Sequence, residues 1–313
     1  MSVGAANVRG MAIGSNIDTF AGLRVRRFRR GERGRGVAWR ISVDYEAPED
    51  RFARELDNLI DSVGGVNVEA LVIGQWGESY DSAPPLHLLV AARDRLPNLR
   101  ALFVGEMTYE ECEISWIHHG DIAPLLAAFP RLEVLRIRGS EGLRLSPVRH
   151  RRLRELAVEA GGLPGAFVRG FADSSFPALQ ELELWLGIAE YGGDVTVEDL
   201  APILGGADLP ALRRLALRNA EIADQVAEAL AAAPVVARLE ELDLSLGALS
   251  DAGAAALLLG QPLTHLRRLD LSHHFMSADV AGRFAEELPG VRVDTSDEQA
   301  IDEDGFRYVS VTE

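Results

Sequence analysis

Leucines recur along the chain in a spacing that is clearest in its C-terminal third. The spacing L-x-x-L-x-L occupies residues 239–244 and returns 27 residues later at 266–271. The segment between the two copies reads SDAGAAALLLG, in which Ser250 or Asp251 is suited to cap a short helix and Gly260 to end it. The spacing therefore predicts a strand followed by a helix as a repeating unit.

Eight segments match this spacing and predict eight strands, which begin at Val68, Leu99, Leu132, Leu153, Leu179, Leu212, Leu239 and Leu266. Intervals near 27 residues resemble the ribonuclease-inhibitor type of leucine-rich repeat, and the single interval of 21 residues, after Leu132, predicts an extended or turn-like connection. The resemblance covers about residues 68–290. It implies an α/β leucine-rich-repeat solenoid, or horseshoe, with a parallel β-sheet on the concave face and helices on the convex face. The ninth position of each match lacks the usual Asn or Cys, which leaves the curvature at these loops open.

The segments that flank the repeats have other patterns. Residues 1–19 show no periodicity and are expected to form a disordered arm, with Met11 as an alternative start. Residues 20–66 contain VAWRISVDYE and EDRFARELDNLIDSV, which predict a capping strand and helix. The repeats fill residues 67–290. In residues 291–313, VRVDTSD and FRYVSV flank a turn-prone EDG and predict a capping hairpin.

Composition narrows the class of protein. The net charge is −16 and all 32 basic residues are Arg, so lysine Schiff bases, P-loop lysines and lysine general bases are excluded. Acidity disfavours nucleic acid, although the first 40 residues carry nine Arg and either form a solvated arm or touch RNA or an acidic partner. The single Cys112 excludes an intramolecular disulfide and fits a reducing compartment. No apolar run is long enough to cross a bilayer, so we expect a cytoplasmic protein without membrane contact.

The strand template places the third, fifth and seventh positions on the concave face, because side chains alternate across a strand. These positions are apolar in the first two repeats and alternate Arg with carboxylates in the middle ones. Such neighbours can pair across strands on a solvated face without function. The rival interpretation is a docking surface for a protein, since Arg and Trp are enriched at binding hot spots. The candidate contact residues on this face are Phe103, Arg136, Arg138, Glu159, Glu183, Trp185 and Arg218.

Two loops that follow predicted strands, at 74–81 and 105–121, combine aromatic with acidic residues. Ligands commonly bind beyond the carboxyl ends of parallel strands, so the position favours recognition, with simple packing as the other interpretation. The candidate contact residues of the two loops are Trp76, Tyr80, Glu106, Tyr109, Trp116 and His118. Later repeats contribute Ser140, Tyr191, Asn219, His273 and His274 to the same edge, of which His273 is the preferred contact residue.

Metal binding or catalysis at the 105–121 loop is the more specific alternative to protein recognition. His118, His119, Asp121 and Cys112 are metal-ligand types, but their spacing matches no defined metal motif. A nucleophilic pair of Cys112 and His118 lacks an orienting third group. We therefore predict no bound metal, no cofactor and no catalytic residues.

The run from VEALVIGQWGESYD through GEMTYEECEISWIHHGD to LRIRGSEGL and LELWLGIAEYGGD is similar to a bacterial family of cytoplasmic leucine-rich-repeat proteins of unknown function. Genes of that family can lie near radical-based and ATP-grasp enzymes, so the resemblance implies an accessory role. We predict a monomeric, non-enzymatic scaffold or adaptor that binds a protein partner through the concave face and the loops after the strands. The alternatives are an enzyme or metal-handling accessory factor that uses the rim around 105–121, and a structural spacer without a discrete partner.

Overall fold

The computed structural model describes residues 13–312, so the expectations about residues 1–12 and about Met11 lie outside the described residues. The strands in this part of the chain are β1 (Thr19–Phe20), β2 (Leu23–Arg27), β3 (Val37–Val43), β4 (Ala70–Trp76), β5 (Ala101–Val104), β6 (Val134–Arg138), β7 (Glu155–Glu159), β8 (Glu181–Gly187), β9 (Arg214–Ala220), β10 (Glu241–Asp243), β11 (Arg268–Asp270) and β12 (Arg292–Asp294). They form one sheet whose strand order follows the chain. β1 is antiparallel to β2, and every later neighbour is parallel.

Eight α-helices of the described residues connect strands from β3 onward: α1 (Arg51–Leu59), α2 (Leu86–Ala91), α3 (Ala123–Ala128), α4 (Gly165–Ala172), α5 (Val197–Gly205), α6 (Ala223–Leu230), α7 (Asp251–Leu259) and α8 (Ala278–Glu287). A π-helical turn follows α1 at Ile60–Gly64, and short 3-10 helices lie at Gly65–Asn67, Arg93–Arg95, Ile114–Trp116, Ala189–Tyr191 and Pro234–Arg238. The connection from β6 to β7 has no helix, as its short interval predicts. The result is an α/β fold of repeat type. Within residues 13–312, no helix is both long and apolar enough to span a bilayer.

All eight predicted repeat strands are present, and each begins at the third position of its leucine template. β10, for example, begins at Glu241, two residues after Leu239. Third-position residues of neighbouring strands are register partners, as Glu241 is of Arg214 on one side and of Arg268 on the other. The rows of side chains predicted from the sequence are therefore rows of neighbours in the sheet.

The template leucines form the core between the sheet and the helices. Leu239, Leu242 and Leu244 are all at most 2% exposed, and their counterparts in other repeats belong to the same cluster. Burying one such side chain stabilises the fold by roughly 1.5 to 3 kcal/mol. The third, fifth and seventh positions point to the opposite side of the sheet, which we call the ladder face.

Both ends of the described chain depart from the sequence expectations. Residues 13–19, expected to be disordered, follow a defined path, in which Tyr109 N donates to Ile13 O at 3.0 Å. The hairpin expected in residues 291–313 is not formed, because β12 pairs in parallel with β11. Residues 305–312, the C-terminal segment, instead cross the loops beyond β8 to β10, where Ser310 N donates to Leu246 O at 2.9 Å. Backbone partners in those loops hold the segment there.

Candidate protein-interaction surface

The first part of the ladder face is an apolar cluster that the N-terminal residues cover. Phe103 is fully buried, and the ring of Phe20 lies 5.8 Å from its ring, centroid to centroid. Ile17, Leu23 and Val25 pack against the same cluster. Phe103, predicted to contact a partner, thus contacts residues of its own chain in this structure.

A buried ion pair joins this cluster to the loop after β5. Arg40 Nε donates to Glu106 Oε2 at 2.5 Å, and Arg40 Nη2 donates to the Glu106 backbone oxygen at 2.9 Å. The other carboxylate oxygen of Glu106 accepts from Ile17 N at 2.9 Å. Glu106 is fully buried with both of its oxygens bonded, so it fastens the N-terminal residues to the sheet.

The middle of the ladder face begins with a second buried group of charges. Arg138 Nε donates to one oxygen of Glu159 at 2.7 Å, and Arg136 Nη1 donates to the other at 2.8 Å. Arg138 and Glu159 are each 1% exposed. The Arg138 guanidinium also lies 5.4 Å from the Phe103 ring centroid, so it spans the boundary between the apolar and charged parts.

Glu183 is the centre of the charged part. Its Oε1 accepts from Arg218 Nη1 and from Trp185 Nε1, each at 2.8 Å, and its Oε2 accepts from Arg214 Nη1 at 3.3 Å. Burial raises the pKa of Glu183, but the guanidinium groups of Arg218, Arg136 and Arg214 outweigh burial and hold that pKa below its usual range. The Glu183 carboxylate is therefore ionised, and the neighbouring guanidinium groups balance its negative charge.

In β10, β11 and β12, the Asp carboxylate on the ladder face accepts a hydrogen bond from the hydroxyl of the serine two residues further along the chain. Hydroxyl to carboxylate distances of 2.6 to 2.7 Å join Ser245 to Asp243, Ser272 to Asp270 and Ser296 to Asp294. Most charge on the ladder face is thus paired within the sheet. The third-position row is its more exposed part, with Glu181 and Arg214 side chains 42% and 24% exposed.

The segments after β3, β4 and β5 expose four aromatic side chains, which we call the aromatic rim. Tyr45 is 42% exposed, Tyr80 36%, Tyr109 53% and Trp116 49%. The rings of Tyr45 and Tyr80 meet edge to face at 6.3 Å. Glu113 N lies 3.4 Å from the Tyr80 hydroxyl oxygen, to which it donates, and so ties the loop of Trp116 to that pair.

The aromatic rim concentrates the exposed aromatic surface of the molecule. Nine large hydrophobic side chains are exposed among residues 13–312, and the six aromatic ones belong to the rim or, as Phe306 and Tyr308, to the C-terminal segment. The loops at 44–50, 77–83 and 105–117 carry ten Asp or Glu residues and no Lys, Arg or His. The rim is therefore both aromatic and acidic.

Of the four potential ligands of the alternative chemical site, Cys112 and His119 are buried, and His118 and Asp121 are half-buried. Trp76 Nε1 donates to Ser82 O at 3.0 Å, and its ring packs 6.2 Å from His119. Burial lowers the pKa of His119 to about 4 and raises the pKa of the Cys112 thiol to about 11, so both are neutral near pH 7. His118 is half-buried, and its backbone forms an isolated parallel β-bridge with Glu141. No group of three His, Cys, Asp or Glu side chains in residues 13–312 is placed to hold a metal ion.

The sequence-predicted contact residues thus divide by exposure. Tyr80, Tyr109 and Trp116 are exposed; His118, Arg136 and His273 are half-buried; and the buried ones are Trp76, Phe103, Glu106, Arg138, Glu159, Glu183, Trp185 and Arg218. Trp185 lies under the C-terminal segment, and His273 lies beside it, with Nε2 at 3.3 Å from Tyr308 O. Sequence reasoning missed Tyr45, because the sequence pattern places it inside the predicted strand VAWRISVDYE, whereas β3 ends at Val43 and leaves Tyr45 in the acidic segment that follows.

Comparisons with known proteins bear on the fold. No protein-family model matches the chain, and a search of curated proteins gives no significant match. The chain is similar to a protein of Bacteroides fragilis whose crystal structure is known, with a TM-score of 0.77 and 26% sequence identity. The similarity covers 87% of this chain and 77% of that one. This similarity, with the sequential parallel sheet, fits a repeat-type α/β fold.

Proposed function

We propose that this chain is a non-enzymatic protein-interaction scaffold that docks its partner on the aromatic rim. The observation that carries the proposal is that Tyr45, Tyr80, Tyr109 and Trp116 are all exposed in the segments that follow the neighbouring strands β3, β4 and β5. Large aromatic side chains supply most of the binding energy at protein interfaces, and contiguous exposed apolar surface marks interaction sites. A cytoplasmic adaptor for a protein partner fits these features.

We further infer that the repeats form a leucine-rich-repeat solenoid of the ribonuclease-inhibitor type. Eight strand matches, strand order that follows the chain and helices between most strands support this inference. In that architecture the ladder face is concave, residues 20–66 and 291–313 cap the repeats, and the aromatic rim lies along one edge of the horseshoe.

The rim is a better docking surface than the ladder face for a physical reason. Charges such as Glu183 and Arg218 already satisfy each other, so a partner gains little by contacting them. Tyr109 and Trp116 still expose about half of their surface, which is available for burial. Since the rim loops carry carboxylates and no basic residues, we expect the partner to present Arg or Lys side chains, which also stack on aromatic rings.

The test is affinity capture from the native cell extract with matched triple variants. The rim variant combines Tyr80→Ala, Tyr109→Ala and Trp116→Ala. The control variant combines Val66→Ala, Leu259→Ala and Ile301→Ala, which remove exposed apolar side chains elsewhere. We expect one protein to be enriched by the wild type and by the control variant, to be lost from the folded rim variant, and to bind more weakly as salt is raised.

Two outcomes contradict the proposal. A protein that the rim variant retains but that Arg136→Glu releases would move the site to the ladder face. A small molecule or metal that co-purifies in place of any protein, and that is lost with His118→Ala, would favour the enzyme or metal-handling alternative.

A further inference from the structure

The C-terminal segment runs along the loops beyond the carboxyl ends of β8 to β10. Its side chains alternate in burial: Arg307, Val309 and Val311 are turned inward, whereas Phe306 and Tyr308 are about 60% exposed. Residues 305–312 belong to no strand of the sheet, so the backbone is held by other groups. A backbone outside the sheet whose alternate side chains face the loops beneath it is the geometry of a bound peptide.

Side chains of the groove hold the backbone of the segment. Asn219 Oδ1 accepts from Val311 N at 2.9 Å, and Asn219 Nδ2 donates to Val311 O at 2.6 Å. The Ser115 hydroxyl donates to Thr312 O. Asn219 is fully buried and has a left-handed backbone with φ of 51°. The Asn219 side-chain amide therefore bonds both the N–H and the C=O of Val311. This pair of hydrogen bonds does not depend on which side chain stands at position 311.

Close approach of the segment depends on a glycine. A Cβ atom at Gly161 would lie 2.4 Å from Thr312 O, so only glycine leaves room for the backbone there. Together, Ser115, Gly161, Trp185, Asn219 and Leu246 form what we call the tail groove.

Two pockets recognise the inward side chains. Val311 packs against the apolar cluster of Ile114, Trp185 and Leu246. At the other end of the segment, Arg307 Nη1 donates to Asp224 Oδ2 at 2.8 Å and to a backbone oxygen in the loop after β10 at 2.8 Å. The groove therefore selects a basic side chain and, four residues later, a small β-branched one.

We propose that the tail groove is a peptide-binding site that the C-terminal segment occupies in cis, and that a partner peptide of the pattern Arg-x-Val-x-Val displaces it. Side-chain amide and hydroxyl groups and a backbone hydrogen bond from Ser310 N to Leu246 O, rather than strand pairing, hold the segment, and Val309 is its one buried residue among 305–312. A short segment that pairs with no strand can open locally without unfolding the repeats behind it. Opening leaves Trp185 and Asn219 ready for a ligand of the same pattern. The tail groove shares the 105–121 loop with the aromatic rim through Ser115, but its test uses other side chains, Asn219 and Trp185, and so does not depend on the proposed function.

The test uses the full chain with Val311→Asp, which expels the segment from the apolar pocket. The probe is a fluorescent peptide of residues 305–313, GFRYVSVTE. We expect the peptide to bind the Val311→Asp chain at least about tenfold more tightly than the wild type, in which the segment competes. Adding Asn219→Ala to that variant should abolish binding, and a peptide with Asp at both valine positions should not bind.

A second form of the protein keeps the test decisive if Val311→Asp disturbs folding. A protease site inserted at the exposed residues 303–304 allows the folded wild-type chain to be cut, and gel filtration then removes the segment. Rebinding of the added peptide, with a blue shift in emission that is absent from Trp185→Phe, supports the proposal. A folded, cut chain that binds no peptide, or that binds the Asp-substituted peptide equally well, overturns it.

Discussion

The ladder face has two parts whose central residues, Phe103 and Glu183, are buried for opposite reasons. In the apolar part, Phe103 is 0% exposed because Phe20 and its neighbours cover it. In the charged part, Glu183 is 4% exposed and is surrounded by guanidinium groups of its own face. Apolar side chains gain from any cover that excludes water, whereas a buried charge needs a specific opposite charge. The buried fraction of a side chain therefore does not show whether covering residues or ion pairs shield it from water.

The difference has a consequence for recognition. The apolar part needed an additional segment of chain, and the N-terminal residues supply it through Ile17 and Phe20. The charged part is closed by lateral pairing between neighbouring strands, as between Glu183 and Arg214. The aromatic rim is a third case, since neither cover nor pairing removes Trp116 from solvent.

The largest effect is expected from Glu183→Ala. Removing this carboxylate takes away the nearest ion-pair partner of both Arg218 and Arg214, and breaking a buried ion pair destabilises a protein by about 3 to 5 kcal/mol. Denaturant unfolding near neutral pH measures the loss. Glu181→Ala, on the same strand with its side chain 42% exposed, should cost less than about 1 kcal/mol. Equal costs for the two variants would mean that the charged part is an ordinary solvated surface.

Phe20→Ala tests the cover of the apolar part. Its ring is buried against Phe103, and truncation of a buried Phe costs about 3 kcal/mol or more in free energy of unfolding. The loss should not change with salt, because no charge is involved. Phe306→Ala, at a side chain 60% exposed, is the control and should change stability by less than about 0.5 kcal/mol. A cost for Phe20→Ala as small as that of the control would show that the N-terminal residues do not close this part.

A pH effect is expected at the boundary between the two parts. His119 Nε2 lies 2.8 Å from Arg138 O, and burial lowers the His119 pKa from 6.5 to about 4. The unfolded chain then binds the proton more readily, so stability is full above about pH 6.5 and is lost as pH falls toward 4. His119→Gln keeps an N–H donor that does not titrate. The stability gap between wild type and this variant should narrow by about 2 kcal/mol between about pH 7 and pH 5. Parallel stability curves would contradict a neutral, buried His119.

The smallest effect on stability is expected at the aromatic rim. Trp116→Ala should change the free energy of unfolding by less than about 0.5 kcal/mol, because its side chain is about half exposed. Trp76→Ala, which removes a buried ring, should cost about 3 to 5 kcal/mol and serves as the contrast. Thermal melts of the two variants measure both. A large loss for Trp116→Ala would assign the rim to packing instead of docking.

The repeat strands could be predicted because their signal is local. The leucine spacing sets the strand start and, through it, the register that pairs Glu181 with Arg214. The exposure of Tyr80, Tyr109 and Trp116 agrees with their place in acidic loops, but Trp76 of the same loops is buried because its ring packs beside His119.

The cover of the ladder face could not be predicted in the same way. Ile17 and Glu106 are 89 residues apart in sequence, and Asn219 and Val311 are 92 residues apart. No pattern within either segment encodes its distant partner. The sequence pattern therefore predicts Trp185 as a contact residue for a partner, although Val311 packs in the cluster that buries it. The alternation in FRYVSV likewise predicts a strand, because a bound peptide and a strand share one period.

The paths of the two ends have a mechanical consequence. β1 and β12 lie at opposite edges of the sheet, yet Ile13 bonds to Tyr109 and Thr312 bonds to Ser115, in one loop. A pulling force applied between residues 13 and 312 would therefore act first on the bonds to this single loop. The repeats would bear no force until those bonds break. An assembly that pulls on the ends of this chain would peel both terminal segments from the molecule before it unfolds any repeat.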